Sequence, residues 1–120
     1  MIKYDFFTIF LFILVTSGCW GCSNVDVKVI IGPSGRQVQG KPEWTVIVFN
    51  SCTCPVGGIV LSCPEFETVE PIDPSMFLRS GDGRCLINQG NDLLPKTFIR
   101  FAYAWDTKFN LPVRDINPEC

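Results

Sequence analysis

Apolar and polar positions alternate along most of the chain with the two-residue period of half-buried strands. Val25-Asp26-Val27-Lys28-Val29-Ile30-Ile31 is rich in β-branched residues and alternates apolar with charged, which predicts a strand with one wet face. The cluster Gly32-Pro33-Ser34-Gly35 predicts a turn after it. Trp44-Thr45-Val46-Ile47-Val48-Phe49-Asn50 follows a second turn signal, Gly40-Lys41-Pro42, and is apolar on both faces apart from Thr45, which predicts a central strand between two packed layers. Phe49 and Phe101, inside strong strand patterns, are expected in the core. Pro55-Val56-Gly57-Gly58 reads as a loop and Ile59-Val60-Leu61-Ser62-Cys63 as the next strand, so Trp44 to Cys63 is expected to form a hairpin.

Farther along, Glu65-Phe66-Glu67-Thr68-Val69-Glu70 alternates like an edge strand. Pro71, Pro74 and Ser80-Gly81-Asp82-Gly83 break the middle of the chain. Cys85-Leu86-Ile87-Asn88 is a short strand. Thr97 to Trp105 is a long one, with Ile99, Phe101, Tyr103 and Trp105 on one face and Phe98, Arg100, Ala102 and Ala104 on the other. Leu111-Pro112-Val113-Arg114 is extended. No stretch after the leader has a useful helical period. The expected fold is all-β, a small antiparallel β-sandwich or barrel of about 6–7 strands.

The N-terminus departs from this pattern. A lone Lys3 precedes the largely apolar run Phe6 to Val15, the build of a secretory signal peptide and too short for a span of ~20 residues. The chain of 120 residues carries seven cysteines. A cut after Gly21 places small residues at the cleavage site and removes Cys19. It leaves the even set Cys22, Cys52, Cys54, Cys63, Cys85 and Cys120 for disulfides. The domains are therefore expected to be a signal peptide over 1–21 and one disulfide-stapled β domain over 22–120, in an oxidising, extracellular setting. Cys52 and Cys54 lie two apart in extended chain and are not expected to bond each other. The remaining pairings stay open.

Charge and composition exclude several classes of function. Ten Lys and Arg against twelve Asp and Glu give a net charge of −2, which disfavours binding to nucleic acid or to anionic membrane. With no His in the chain, a Ser-His-Asp or Cys-His relay cannot be built. Glu65, Glu67, Glu70 and Asp73 are the carboxylates a glycosidase could use, but a solvated edge accounts for them as well. No enzyme activity, cofactor or metal is expected. Candidate partner-binding residues are Met76 and Phe77 in a loop stiffened by Pro71 and Pro74, with Arg79 and Arg84 as a polar rim. Phe77 could instead tuck under the sheet. Trp44 and Trp105, at strand ends, complete the set. As stacking aromatics they would suit a cell-wall polysaccharide-binding module. Inhibition of a protease or hydrolase rests on size and cysteines alone.

Several motifs recur together in one known group of proteins. They are Gly40-Lys41-Pro42-Glu43-Trp44 leading into Val46-Ile47-Val48-Phe49-Asn50, then Cys52 and Cys54. Ile59-Val60-Leu61-Ser62-Cys63, Phe66 and Val69-Glu70-Pro71-Ile72-Asp73-Pro74-Ser75 follow. Cys85-Leu86-Ile87-Asn88-Gln89-Gly90, Phe101-Ala102-Tyr103-Ala104-Trp105 and Cys120 complete the series. In order and spacing, over about residues 22 to 120, the chain resembles the plant tapetum determinant family of secreted cysteine-rich proteins. The resemblance implies an extracellular signalling ligand, perceived by the ectodomain of a leucine-rich-repeat receptor kinase in cell-fate specification in anthers or other reproductive tissue. It implies a protein partner, with cell-wall carbohydrate as the alternative. The founding type carries a basic processing site after a longer N-terminal stretch, whereas this chain has no adjacent pair of basic residues.

Overall fold

The computed structural model describes residues 21–120. The expected leader, apart from Gly21, and the odd Cys19 lie outside the described residues. Among the described residues, seven strands form two antiparallel sheets packed face to face, as the alternation predicts. They are β1 (Val27–Val38), β2 (Lys41–Asn50), β3 (Val56–Ser62), β4 (Phe77–Arg79), β5 (Arg84–Ile87), β6 (Phe98–Ala104) and β7 (Val113–Pro118). One sheet has the order β1-β2-β6 and the other β4-β5-β3-β7. Among the described residues, helix is limited to single 3₁₀ turns at Asn24–Asp26 and Asn88–Gly90.

The core lies between the sheets. Val27, Val46, Val48, Phe101 and Tyr103 face inward from the first sheet, and Ile59, Leu61, Cys85 and Ile87 from the second. Phe66 sits at the centre, with ring centroids 4.9 Å from Phe77, 5.0 Å from Tyr103 and 5.2 Å from Phe109. These separations suit tilted and edge-on aromatic pairs, each contributing about 0.5–1.5 kcal/mol beyond area burial. The Tyr103 hydroxyl accepts a hydrogen bond from the Phe109 amide at 2.8 Å, so the buried ring keeps its polar end satisfied.

Local chemistry changes several expected boundaries. Gly32-Pro33-Ser34-Gly35 does not end β1. It forms a bulge, with the register slipping between Pro33 and Gln37. Gly35 takes φ +90° there, a conformation open to glycine, and Pro33 is tolerated because β1 is an edge strand. The chain reverses later, at Gln39 and Gly40, with φ of 51° and 79° between the paired Val38 and Lys41. Two central residues with positive φ match the twist of a two-residue hairpin. Gly57 and Gly58, read as loop, lie inside β3 at a second bulge. A Cβ on Gly57 would stand 2.5 Å from Asp92 Oδ1, so the segment 90–92 can press against the strand only because a side chain is missing.

Trp44 to Cys63 is not a hairpin, because β2 and β3 belong to different sheets. Asn50, fully buried, fixes the corner where the chain crosses. Its Nδ2 donates to the carbonyls of Cys54 and Leu93, both at 2.9 Å, and its Oδ1 accepts from the Cys52 amide at 2.9 Å. The residues 65–70 form no strand. Phe66 still points inward, and the Val69 amide donates to Ala104 O at 3.0 Å, laying the segment along the edge of β6. β2 is central within its sheet but is covered on one side only, so Phe49 lies half-buried on the outward face and not in the core. Phe101 is in the core.

Candidate interaction surface

Three disulfides set the frame: Cys22–Cys52, Cys54–Cys120 and Cys63–Cys85. The first two lie side by side, with Cys22 Sγ 3.9 Å from Cys120 Sγ. The sulfurs of Cys22, Cys54 and Cys120 lie within 4.8 Å of one another. All three are in disulfides, so they offer no thiolate to a metal. Cys63–Cys85 joins the end of β3 to β5 inside the core.

The structure spreads the sequence-predicted contact residues over different environments. Phe77 is 4% exposed and packs against Phe66 and Phe101, and Met76 packs against the core beside it. The stiff loop therefore turns its apolar residues inward, and the alternative placement of Phe77 under the sheet is the one adopted. Arg79 and Arg84 are exposed. Arg79 lies 5.5 Å over the Phe66 ring. Arg84 Nε donates to Asp82 Oδ2 at 2.8 Å, and Arg84 first, then Ser80, hold the Asp82 carboxyl well below its usual range. Trp44 Nε1 donates to Trp105 O at 3.1 Å, and both rings are half-buried. Lys41 Nζ sits 5.0 Å over the Trp105 ring and pairs with Asp106 at 2.6 Å. The lysine occupies that ring face, so the two tryptophans do not make a bare stacking platform.

Glu70, one of the carboxylates the sequence offers, is set beside Glu43, which no chemical pattern singled out. Glu43, the third residue of β2, would face outward by strand parity. The β1 bulge and the 65–70 segment close over it, leaving it 5% exposed. Ser34 Oγ donates to Glu43 Oε1 at 2.7 Å, and Arg36 Nε lies 3.6 Å from the same oxygen. Glu70 lines the same concavity and lies near enough for the two carboxylates to shift each other's titration. Among the described residues no N–H or O–H group satisfies the buried Glu70 Oε1. Ionised carboxylates only accept hydrogen bonds, so the two can bond only through a shared proton. Burial, then Glu43, raises the Glu70 pKa. The hydrogen bond from Ser34, then Glu70, lowers that of Glu43.

The outward face of the β1-β2-β6 sheet is the remaining feature. Its register sets Lys28, Phe49 and Phe98 in one row across the strands and Ile30, Ile47 and Arg100 in the next. Gly32, Thr45 and Ala102 form a third row of small residues. Ile30 is 56% and Phe98 57% exposed. Neither Lys28 nor Arg100 has a carboxylate partner among the described residues. The apolar run of β2 assigned both its faces to the interior, so this surface was missed.

The motif order that suggested a family is matched by a family model described as "Tapetum determinant 1, C-terminal", over residues 15–119. The chain belongs to this family. The tapetum determinant domain is 33% identical over 98 residues to TPD1 protein homolog 1 of Arabidopsis thaliana, covering 80% of this chain and 55% of that protein. It is 34% identical over 100 residues to TPD1 protein homolog 1B of Oryza sativa subsp. japonica, covering 82% and 58%. For TPD1 protein homolog 1A of the same rice the figures are 32% over 107 residues, 82% and 46%. This tapetum determinant chain thus spans about half the length of these curated relatives. No solved structure matches it.

Proposed function

We propose that this protein is a secreted extracellular signalling ligand, recognised by the ectodomain of a leucine-rich-repeat receptor kinase and acting in cell-fate specification in anthers or other reproductive tissue. The observation that carries the reading is family membership over residues 15–119, a span that includes nearly the whole cross-linked domain. The physical state of the chain supports it. Three disulfides persist in oxidising compartments, and among the described residues no helix is long and apolar enough to cross a membrane. The proposal includes removal of residues 1–21 and action by binding, without catalysis. A frame held by three bridges loses little freedom on association, which favours affinity from a modest contact.

The test is binding of the oxidised 22–120 protein to a panel of leucine-rich-repeat receptor kinase ectodomains, with the reduced protein as control. Saturable binding at sub-micromolar dissociation constants, stronger than about −8 kcal/mol, and lost on reduction, is expected. Absence of binding across a panel that responds to other family members, together with retention on cell-wall polysaccharide, would move the function to the wall-binding class.

A further inference from the structure

The outward face of the first sheet has the composition of a contact surface and not that of a solvated one. Four apolar side chains, Ile30, Ile47, Phe49 and Phe98, fill a block two rows deep and three strands wide. Lys28 and Arg100 stand at its opposite corners. With strands ~4.8 Å apart and same-face residues ~6.8 Å apart along a strand, the corner Cα atoms are about 12 Å apart. The adjoining row Gly32, Thr45 and Ala102 is lower, so the block stands proud at one edge. Beyond that row, Arg36 is occupied by Glu43. The block carries cations and no carboxylate, although the whole chain is net negative at −2.

These features select the kind of partner. A second copy docked face to face would bring four cations together, which disfavours self-association. An anionic membrane would gain only ~1 kcal/mol from each of two basic residues, too little for stable attachment. A polysaccharide chain is usually held by stacking on well-exposed aromatic faces, and of the block's two aromatics Phe98 is exposed while Phe49 is half-buried beside it. A protein surface with an apolar centre and carboxylates on two sides fits all three observations.

We infer that this block is the face by which the receptor ectodomain holds the protein, and that the ectodomain presents there an apolar contact flanked by two carboxylates, one for each cation. The inference rests on the ligand reading above. The apolar centre governs how long the complex lasts, and the two cations govern how fast it forms and how salt weakens it.

The experiment measures binding of the oxidised 22–120 protein to the ectodomain panel, for the wild type and for Ile30→Ser, Phe98→Ser, the pair Lys28→Glu and Arg100→Glu, and Leu78→Ser. Leu78 is 48% exposed on the other sheet and is the matched control. Disulfide mapping and thermal unfolding verify that each variant is folded. The charge pair, altered at surface positions, remains informative should an apolar variant fail. Ile30→Ser and Phe98→Ser are expected to weaken binding at least ~10-fold, mainly through faster dissociation. The charge-reversed pair should slow association ~10-fold and flatten its salt dependence, and Leu78→Ser should change neither. Wild-type binding that the Ile30, Phe98 and charge variants leave intact overturns the inference and spares the ligand reading. A wild type that binds no ectodomain overturns the ligand reading, and the inference with it. Wild-type dimerisation abolished by Phe98→Ser, or retention on polygalacturonate abolished by the charge reversal, would assign the face to another occupant and overturn the inference as well.

Discussion

Replacing Glu70 by glutamine should stabilise this protein at neutral pH and leave it unchanged in mild acid. At neutral pH two carboxylates meet beside β2, and Glu70 Oε1 is buried without a donor. The glutamine amide would place a permanent N–H donor against Glu43 where the wild type needs a proton. A hydrogen bond to a charged acceptor contributes ~1.5–3 kcal/mol, and the partial exposure of Glu70 reduces that to about 1–2. For a domain of this size that raises Tm by on the order of 5–10 °C. The sign follows from proton binding. The folded pKa of Glu70 is raised above its ordinary value of 4.5. Its contribution is therefore fully present below that value and lost as pH rises through the folded one. Glu43 is lowered from 4.5, so its contribution is present above that value and lost as pH falls through the folded one. The pair is best satisfied between the two folded values, with one proton shared. Thermal unfolding of the wild type and Glu70→Gln near pH ~7 and pH ~4 decides the matter. A Glu70→Gln variant no more stable than the wild type at neutral pH, or equally more stable at both, would refute the shared-proton geometry.

Three further outcomes are expected. Phe66→Ala removes the ring at the centre of the aromatic cluster and should cost about 3–5 kcal/mol in denaturant unfolding. Asn50→Ala leaves the Cys52 amide and the Cys54 carbonyl without their partner at a buried corner, costing roughly 2–4 kcal/mol. It should also raise the fraction of mispaired Cys52 and Cys54 after oxidative refolding, read by peptide mapping. Removal of Cys63–Cys85, whose cysteines lie 22 residues apart, should cost about 3 kcal/mol by loop entropy. Removal of Cys54–Cys120, with a separation of 66, should cost about 4 kcal/mol. Equal losses for the two bridges would show that strain or residual structure, not loop length, governs their contribution.

The inward faces of β1 and β6 were legible because a period of two survives wherever a strand has one buried face. The glycine-rich segments were not. Gly32 to Gly35 and Gly57-Gly58 carry turn chemistry, yet neighbouring strands hold them as bulges, and no local pattern separates a bulge from a turn. The partners of β3 were also hidden, since pairing with β5 and β7 is decided by contacts remote in sequence. The apolar outer residues of β2 gave the most instructive error. An uninterrupted apolar run reads as buried on both sides, but this sandwich has only two layers, and Ile47 and Phe49 are left beside Ile30 and Phe98. The meeting of Glu43 with Glu70 was not legible in the sequence, because a bulge and a loop edge bring them together only after folding.

The neighbouring bridges Cys22–Cys52 and Cys54–Cys120 also have a mechanical consequence. A tensile load applied between residues 22 and 120 need not travel through the sheets. It passes from Cys22 to Cys52, across Thr53 to Cys54, and out through Cys120, a covalent shunt around nearly the whole described chain. While both bonds are closed, pulling on the two ends of the domain leaves the strands unloaded.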